Sequence, residues 1–236
     1  MRKILISLFL LFGVSLSANL IGSGLQAEKK CDFKKAMKSY KEACASGIGS
    51  GCRYLGDFYA SGQSIELDMT KANRLYAKAC KWGDSAGCYN LAFSYANGEG
   101  VKQNKKKAAI YYKKACEGGS IISCNNLGDY YSQIKNYKNA AKFYTKACNG
   151  EHIYACINLG KLYASGEGVR QSDKKAAKLY SKACDSGDTS GCYNLGIAYL
   201  RGKGVKQSKS VAKELFLKAC DDGVDEGCKE YNLLKK

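Results

Sequence analysis

Twelve cysteines of this chain form six pairs that share one internal spacing, with seven residues between the two members. The pairs are Cys44 and Cys52, Cys80 and Cys88, Cys116 and Cys124, Cys148 and Cys156, Cys184 and Cys192, and Cys220 and Cys228. The first members follow one another at intervals of 36 residues, apart from a single interval of 32. A period of this size predicts a stack of similar supersecondary units, each packed against its neighbours.

Each unit contains two segments with helical periodicity. Segment A begins at the second cysteine of a pair, and Cys88, Leu91 and Tyr95 show its apolar residues at i, i+3 and i+7. Segment B ends at the first cysteine of the next pair, as residues 107–116 illustrate. The pattern therefore predicts an all-α chain built from pairs of helices.

Helix boundaries recur with the same period. Every B segment follows a residue whose side-chain oxygen can cap a helix N-terminus. These residues are Asp32, Asp68, Asn104, Asn136, Ser172 and Ser208. A glycine suited to a left-handed helix end follows the first cysteine by three positions in most units. These glycines are Gly47, Gly83, Gly119, Gly187 and Gly223, and the fourth unit is expected to use Gly150 instead.

The combined pattern A-x3-Y-x2-A-C … G-C-x-N-L-G-x2-Y … G-x-G-V extends over residues 32–236 and resembles the Sel1-like repeat family. That family is related to the tetratricopeptide repeats, and the resemblance is closest to its secreted, cysteine-rich Helicobacter-type branch. The departures are a shortened loop at residues 133–135, Tyr54 in place of an Asn, and the additional Cys31. The resemblance implies an α/α solenoid whose A helices line a concave, peptide-binding face.

The N-terminus has the composition of a secretory signal peptide. Met1-Arg2-Lys3 precedes an apolar run at residues 4–16, which is too short to span a bilayer comfortably. We expect a signal peptide at residues 1–27 with cleavage after Ala18 or Ala27, followed by the repeat domain at residues 28–236. An uncleaved anchor is the alternative. The expected location is periplasmic or secreted, with no stable membrane insertion.

Export into an oxidising compartment predicts disulfides rather than free thiols. Two cysteines joined by a seven-residue turn can bring their Cα atoms within about 6 Å, whereas cysteines on stacked repeats lie roughly 8–10 Å apart. The six local pairs are therefore the predicted bridges. Cys31 is left over and is expected to be an exposed free thiol or a link to a second molecule.

Metal binding is the competing interpretation of so many cysteines. Zinc sites favour C-x2-4-C spacings, which are absent, and His152 is the single histidine. We therefore expect no metal and no cofactor.

The cysteine-rich branch is often classed with β-lactamases or penicillin-binding proteins, so the resemblance implies weak β-lactam binding or hydrolysis as an alternative function. Serine β-lactamases combine S-x-x-K with S-D-N and K-T-G elements. The last two are absent, and S-x-x-K occurs about as often as chance predicts in a chain this rich in lysine. The three strings are Ser132–Lys135, Ser172–Lys175 and Ser210–Lys213. No catalytic residue is assigned, and a dedicated enzyme is not expected.

An asparagine stands two residues after the second cysteine in four units, at Asn90, Asn126, Asn158 and Asn194. On a concave face these amides would form a ladder suited to a peptide backbone or a terminal carboxylate. Local hydrogen bonds, from each Asn to its own turn or to the next repeat, are the structural alternative.

The net charge of +17 comes from lysines that recur in step with the repeat. This pattern favours a solvated lysine-rich face over nucleic-acid binding, and an acidic partner is the alternative. The predicted function is an exported, disulfide-stapled scaffold that binds a peptide or protein on its concave face.

Overall fold

A computed structural model describes residues 19–221 and 223–235, and the regular secondary structure of these residues is entirely α-helical. The predicted signal-peptide core, residues 4–16, lies outside the described residues. The first described helix, α1, covers residues 19–29. It is followed by α2 (Phe33–Ala45), α3 (Gly49–Ser61), α4 (Met69–Lys81), α5 (Ser85–Asn97), α6 (Lys105–Glu117), α7 (Ile121–Gln133), α8 (Tyr137–Asn149), α9 (Ile153–Ser165), α10 (Asp173–Asp185), α11 (Thr189–Arg201), α12 (Lys209–Asp221) and α13 (Asp225–Lys235).

The chain forms two compact units, an N-terminal unit that ends at Ser123 and a C-terminal unit that starts at Cys124. Within each unit, helices that are consecutive in sequence pack against each other. We call α3, α5, α7, α9, α11 and α13 the A helices. The B helices are α2, α4, α6, α8, α10 and α12.

The predicted caps of the B helices are confirmed. The side chain of each capping residue accepts a hydrogen bond from the backbone N–H three positions ahead. These bonds satisfy N–H groups that have no partner inside the helix, so the caps fix where each B helix begins.

The predicted start of the A helices was wrong. Each A helix begins three residues before the second cysteine of a pair rather than at it. The cysteines that consequently occupy the fourth helical position are Cys52, Cys88, Cys124, Cys156, Cys192 and Cys228. Caps that the cysteine pattern does not reveal set this earlier start in four helices. Asp84 accepts from Gly87 N–H, Ser120 from Ser123 N–H, His152 from Ala155 N–H, and Asp188 from Gly191 N–H.

The left-handed residue after each B helix lies three positions beyond the first cysteine. The five predicted glycines have φ between 80° and 95°. The expectation for Gly150 was wrong, since its φ is −86°. Glu151 adopts the left-handed conformation instead, with φ of 67°. The distance from Cys148 therefore fixes the position of the turn, even where the residue there carries a Cβ atom, which costs roughly 1–2 kcal/mol.

Each disulfide joins the end of a B helix to the first turn of the next A helix, at the positions of the predicted local pairs. The Cα–Cα distances are 4.5 Å between Cys44 and Cys52, 4.5 Å between Cys80 and Cys88, 4.7 Å between Cys148 and Cys156, 4.4 Å between Cys184 and Cys192, and 4.5 Å between Cys220 and Cys228. Cys116 and Cys124 are also disulfide-bonded. A loop of this length stabilises the folded state by about 2.5 kcal/mol in the chain-entropy model.

Buried aromatic rings of the B helices lie against glycines of the preceding A helices. The pairs are Tyr76 on Gly56, Tyr144 on Gly128, Tyr180 on Gly160 and Phe216 on Gly196. A Cβ atom at any of these glycines would lie only 2.5–2.7 Å from the ring. The missing side chain therefore lets two helices approach each other, and this contact recurs as the core of successive repeats.

Candidate functional site

Asn90, a half-buried residue of α5, belongs to the predicted ligand-binding ladder. Its Nδ2 atom donates a hydrogen bond of 3.1 Å to Oδ1 of Asp57, on the preceding A helix. The same carboxylate accepts from the hydroxyl of Tyr76 at 2.9 Å and pairs with Arg53 at 3.1 Å. Burial raises the pKa of Asp57, although the Tyr76 hydroxyl and Arg53 oppose the shift.

The C-terminal unit repeats this arrangement around Asp129. Its carboxylate accepts from the Tyr144 hydroxyl at 2.7 Å and from Asn158 Nδ2 at 3.5 Å. Asn125, one turn earlier in the same helix, donates to it at 3.0 Å. An aspartate that directly follows the A-helix glycine therefore binds both the tyrosine of its own repeat and the asparagine of the next.

The other two asparagines follow repeats that lack this aspartate. The position equivalent to Asp57 holds Lys161 in the repeat before Asn194, and Asn194 donates to Ser190 O within its own helix at 2.7 Å. In the repeat before Asn126 that position holds Phe93, and Asn126 is half-buried. These hydrogen bonds run within a helix or between repeats, as the structural alternative predicts for Asn90, Asn158 and Asn194. Their ligand role stays a prediction, and it would rely on the amide oxygen or the second amide hydrogen.

A cavity of about 310 Å³ opens beside Asn90 in the N-terminal unit. Tyr76, Tyr89 and Phe93 line it together with Asn90. The Phe93 side chain is 41% exposed, a large fraction for a phenylalanine, and its ring centre lies 6.3 Å from that of Tyr89. The pocket thus combines an amide with an open aromatic wall.

A larger groove of about 650 Å³ lies in the C-terminal unit, and sequence reasoning did not find it. Leu159 and Tyr163 of α9 and Leu179 of α10 form apolar parts of its lining. Lysines of α10 also line it, at Lys175, Lys178 and Lys182. The sequence feature that could have revealed the groove is the spacing of these lysines, three and four residues apart around Leu179. This spacing puts the ammonium groups on one face of a helix.

Two of the groove lysines already have internal partners. Lys182 Nζ donates to the carbonyl of Cys148 at 3.0 Å, and Lys175 Nζ lies 5.0 Å from the centre of the Tyr163 ring. Lys178 is exposed. The groove therefore combines apolar surface with three lysines and the carboxylate of Asp185.

The S-x-x-K strings have structural roles in the described residues. The Ser172 hydroxyl accepts from Lys175 N–H as the cap of α10, while Nζ of Lys175 lies over Tyr163. The Ser210 hydroxyl shares a hydrogen bond of 3.0 Å with the capping Ser208. Lys213, the lysine of that string, has its Nζ 5.6 Å from the centre of the Tyr231 ring. In the first string, Lys135 lies in the left-handed turn after α7 with φ of 58°.

Two properties of the described residues bear on metal binding and on membrane insertion. Among residues 19–221 and 223–235, no cluster of three or more His, Cys, Asp and Glu side chains could hold a metal ion. Within the same residues, no helix combines the length and the apolar character needed to cross a bilayer.

A model of the Sel1 repeat matches five consecutive segments, residues 49–84, 85–120, 121–152, 153–188 and 189–224. The chain belongs to the Sel1 repeat family. Each matched segment begins at the first residue of an A helix and contains that helix and the following B helix. The segment at 121–152 is the shortened repeat.

Solved structures have the same architecture. A Sel1 repeat protein from Oxalobacter formigenes is 24% identical, with a TM-score of 0.76 over 92% of this chain and 88% of that one. The protein c5321, a protective antigen of uropathogenic Escherichia coli with an SLR fold, is 26% identical with a TM-score of 0.61, over 85% of this chain and 52% of that one. The predicted all-α solenoid of disulfide-stapled repeats is confirmed.

A curated relative supports the resemblance to the cysteine-rich Helicobacter branch. HcpE of Helicobacter pylori, whose name proposes a β-lactamase, is 36% identical over 66 residues. The match covers 25% of this chain and 19% of HcpE, so this chain spans about a fifth of the length of that relative.

Proposed function

We propose that this Sel1 repeat protein is an exported scaffold that binds a peptide or protein segment on the face formed by its A helices. A disulfide-stapled Sel1 repeat array is a protein-binding type of repeat. The observation that carries the proposed binding face is the pocket beside Asn90, where the exposed Phe93 ring and Tyr89 surround an amide. Exposed aromatic side chains next to polar groups are typical of surfaces that bind other proteins.

The chemistry of the pocket suggests its occupant. A volume of about 310 Å³ accommodates one large apolar side chain of a partner, packed against Phe93 and Tyr89. The amide oxygen of Asn90 can accept a backbone N–H of the same segment, because its nitrogen already donates to Asp57. YrrB, a tetratricopeptide protein described as having an unusual peptide-binding site, shares the fold at 20% identity with a TM-score of 0.52.

The disulfides support export. The cysteines of the first five pairs are between 0% and 8% exposed, so their sulfurs are part of the core. Cys220 and Cys228, at the C-terminal end of the array, are half-buried. Such bridges form and persist in the periplasm or outside the cell, whereas cytosolic thiols are kept reduced. The apolar run at residues 4–16 agrees with this location.

Binding can be tested with the oxidised full chain and a display library of extended peptides, scored by enrichment and then by fluorescence anisotropy. Phe93→Ala should weaken a selected peptide at least tenfold. Ile110→Ala is the matched control, since Ile110 is 57% exposed on α6 and is absent from the pocket lining. Equal affinities of both variants and the parent protein would disprove the proposed site.

A second activity, β-lactam hydrolysis, is suggested by the similarity to HcpE alone. Incubation of purified oxidised protein with a chromogenic cephalosporin tests it. The scaffold proposal expects no turnover above buffer. Turnover that increases in proportion to protein concentration and persists after repurification would overturn the non-catalytic interpretation.

A further inference from the structure

The helix α1, residues 19–29, occupies the place of an A helix in front of α2. Gly24 lies against the ring of Tyr40, and a Cβ atom at Gly24 would collide with that ring. This is the contact that Gly56 makes with Tyr76, and Gly128 with Tyr144, in the repeats. Tyr40 is fully buried, as a core aromatic residue of a B helix should be.

The turn after α1 also matches a repeat. Cys31 is left-handed with φ of 56°, and Lys135 in the turn of the shortened repeat has φ of 58°. The next residue closes the turn in both cases. Asp32 N–H donates to Ala27 O at 2.9 Å, and Asn136 N–H donates to Tyr131 O at 2.8 Å. Residues 19–32 therefore have the backbone arrangement of an A helix followed by the short loop of a repeat.

The contacts of α1 extend the core of the N-terminal unit. Ala27 is 4% exposed and belongs to one apolar cluster with Ala36 and Tyr40, and Ile21 packs against this cluster. Ser39 of α2 donates to Ser23 of α1 at 3.4 Å. Burial and the nearby Glu28 carboxylate raise the pKa of Tyr40. A chain that began at Glu28 would lose most of these contacts.

We infer that α1 is the A helix of an additional, degenerate repeat that stays in the mature protein, and that the signal peptide is removed after Ala18 rather than after Ala27. Processing adds one water across the Ala18–Asn19 peptide bond, which leaves a carboxylate on Ala18 and an amino group on Asn19. The matched Sel1 segments begin only at residue 49, so this repeat is not among them.

The degeneracy has a physical reason. Leu20 lies where the other A helices carry their second cysteine, four residues before the glycine that contacts the ring. That cysteine bridges back to a B helix of the preceding repeat, and a first repeat has none. Terminal repeats of solenoids are atypical because they cover the end of the stack instead of joining a further unit. The helix α1 thus serves as the N-terminal cap of the array.

The scission rests on the proposed export, and one measurement separates the two. The full chain is expressed with its own leader, and the oxidised product is analysed by intact mass and N-terminal sequencing. We expect Asn19 as the first residue. A product that begins at Glu28 would overturn the inference while leaving export intact. A product that retains Met1 would also overturn the inference. If that product is found in the periplasm, only the scission is refuted, because the uncleaved leader then acts as an anchor; if it is found in the cytoplasm, export is refuted as well.

A stability measurement tests whether α1 is packed in the mature protein. Gly24→Leu places a side chain on the Tyr40 ring and should lower the melting temperature by several degrees. Gly22→Leu is the matched control, since a Cβ there meets nothing within 4 Å. It should leave the melting temperature unchanged or slightly raised. Equal melting temperatures for both variants would show that α1 does not cap the fold.

Discussion

The side-chain amide of Asn90 donates a hydrogen bond of 3.1 Å to the carboxylate of Asp57, which precedes it by 33 residues. The bond crosses from one A helix to the next, and the helices α3 and α5 also contact each other directly. Asn158 and Asp129 repeat it in the C-terminal unit. An asparagine on the A-helix face can therefore fix the register between neighbouring repeats, and its proposed ligand role would use the rest of the amide.

Removal of the shared acceptor should destabilise the N-terminal unit. Asp57→Ala leaves the Tyr76 hydroxyl and the Asn90 amide without their acceptor, and we expect a loss of about 1–2 kcal/mol in the free energy of unfolding. Urea titration followed by circular dichroism measures it. Glu117→Ala removes an exposed ion pair of 3.9 Å and is the control, expected to change stability by less than about 0.5 kcal/mol. An unchanged free energy of unfolding in Asp57→Ala would mean that this hydrogen-bond network contributes nothing to stability.

Alkaline pH should destabilise the fold through its buried tyrosines. Burial, with a smaller effect of Asp173, raises the pKa of Tyr180 from 10.0 to about 12. The folded state then retains a proton that the unfolded state loses, so stability is full below pH 10 and falls as pH rises from 10 to 12. The expected loss between pH 10 and pH 12 is about 2 kcal/mol for this group.

Tyr180→Phe is the variant that isolates this effect. Phe216 occupies the equivalent position against Gly196, so a phenylalanine fits the repeat. The variant should show a smaller loss of stability between pH 10 and 12 than the parent protein, measured by rapid urea unfolding before the disulfides can react. Identical pH profiles would refute the assignment to Tyr180.

Cys31 should behave differently from the other cysteines. It is exposed and has no disulfide partner, and it follows α1 at the end of α2 that is remote from Cys44. We expect a reducible dimer on non-reducing gels, which Cys31→Ser abolishes. Alkylation of the unreduced protein should modify one cysteine in the monomer. A monomer without a reactive thiol would require a different bridge at the N-terminal end.

The left-handed Glu151 offers a stabilising substitution. Glu151→Gly removes the strain of a Cβ atom at φ of 67°, and we expect a gain of about 1 kcal/mol in the free energy of unfolding. Gly187→Ala, at the equivalent turn with φ of 85°, is the reciprocal control and should lose a similar amount. Thermal unfolding monitored by circular dichroism measures both. A loss of stability in Glu151→Gly would mean that flexibility of the unfolded glycine outweighs the strain.

The cysteine period predicted the helix pairs, because a fixed spacing imposes one local geometry in every repeat. It did not locate the start of the A helices. Asp84 and Asp188 cap two of these helices, and a pattern of apolar residues does not reveal polar caps. Residue type predicts Gly150 for the fourth turn, whereas the distance from Cys148 decides which residue becomes left-handed.

The candidate site was harder to predict than the fold. The asparagines were recognised as a ladder, but their partners Asp57 and Asp129 occur in only some repeats, so a search for regular motifs passes over them. The groove beside Lys178 depends on how neighbouring helices pack against each other. That packing cannot be predicted from the sequence of each helix alone. Both omissions involve contacts between elements rather than within them.

Each disulfide closes a loop between cysteines only eight residues apart. The correct partner of a newly exposed thiol is therefore the nearest one along the chain, and it emerges from a ribosome or a translocation pore almost at the same time. Oxidation can then proceed in order from the N-terminus, one bridge per repeat, without waiting for distant segments. A chain with many cysteines thus avoids most of the pairings that would otherwise need to be reshuffled.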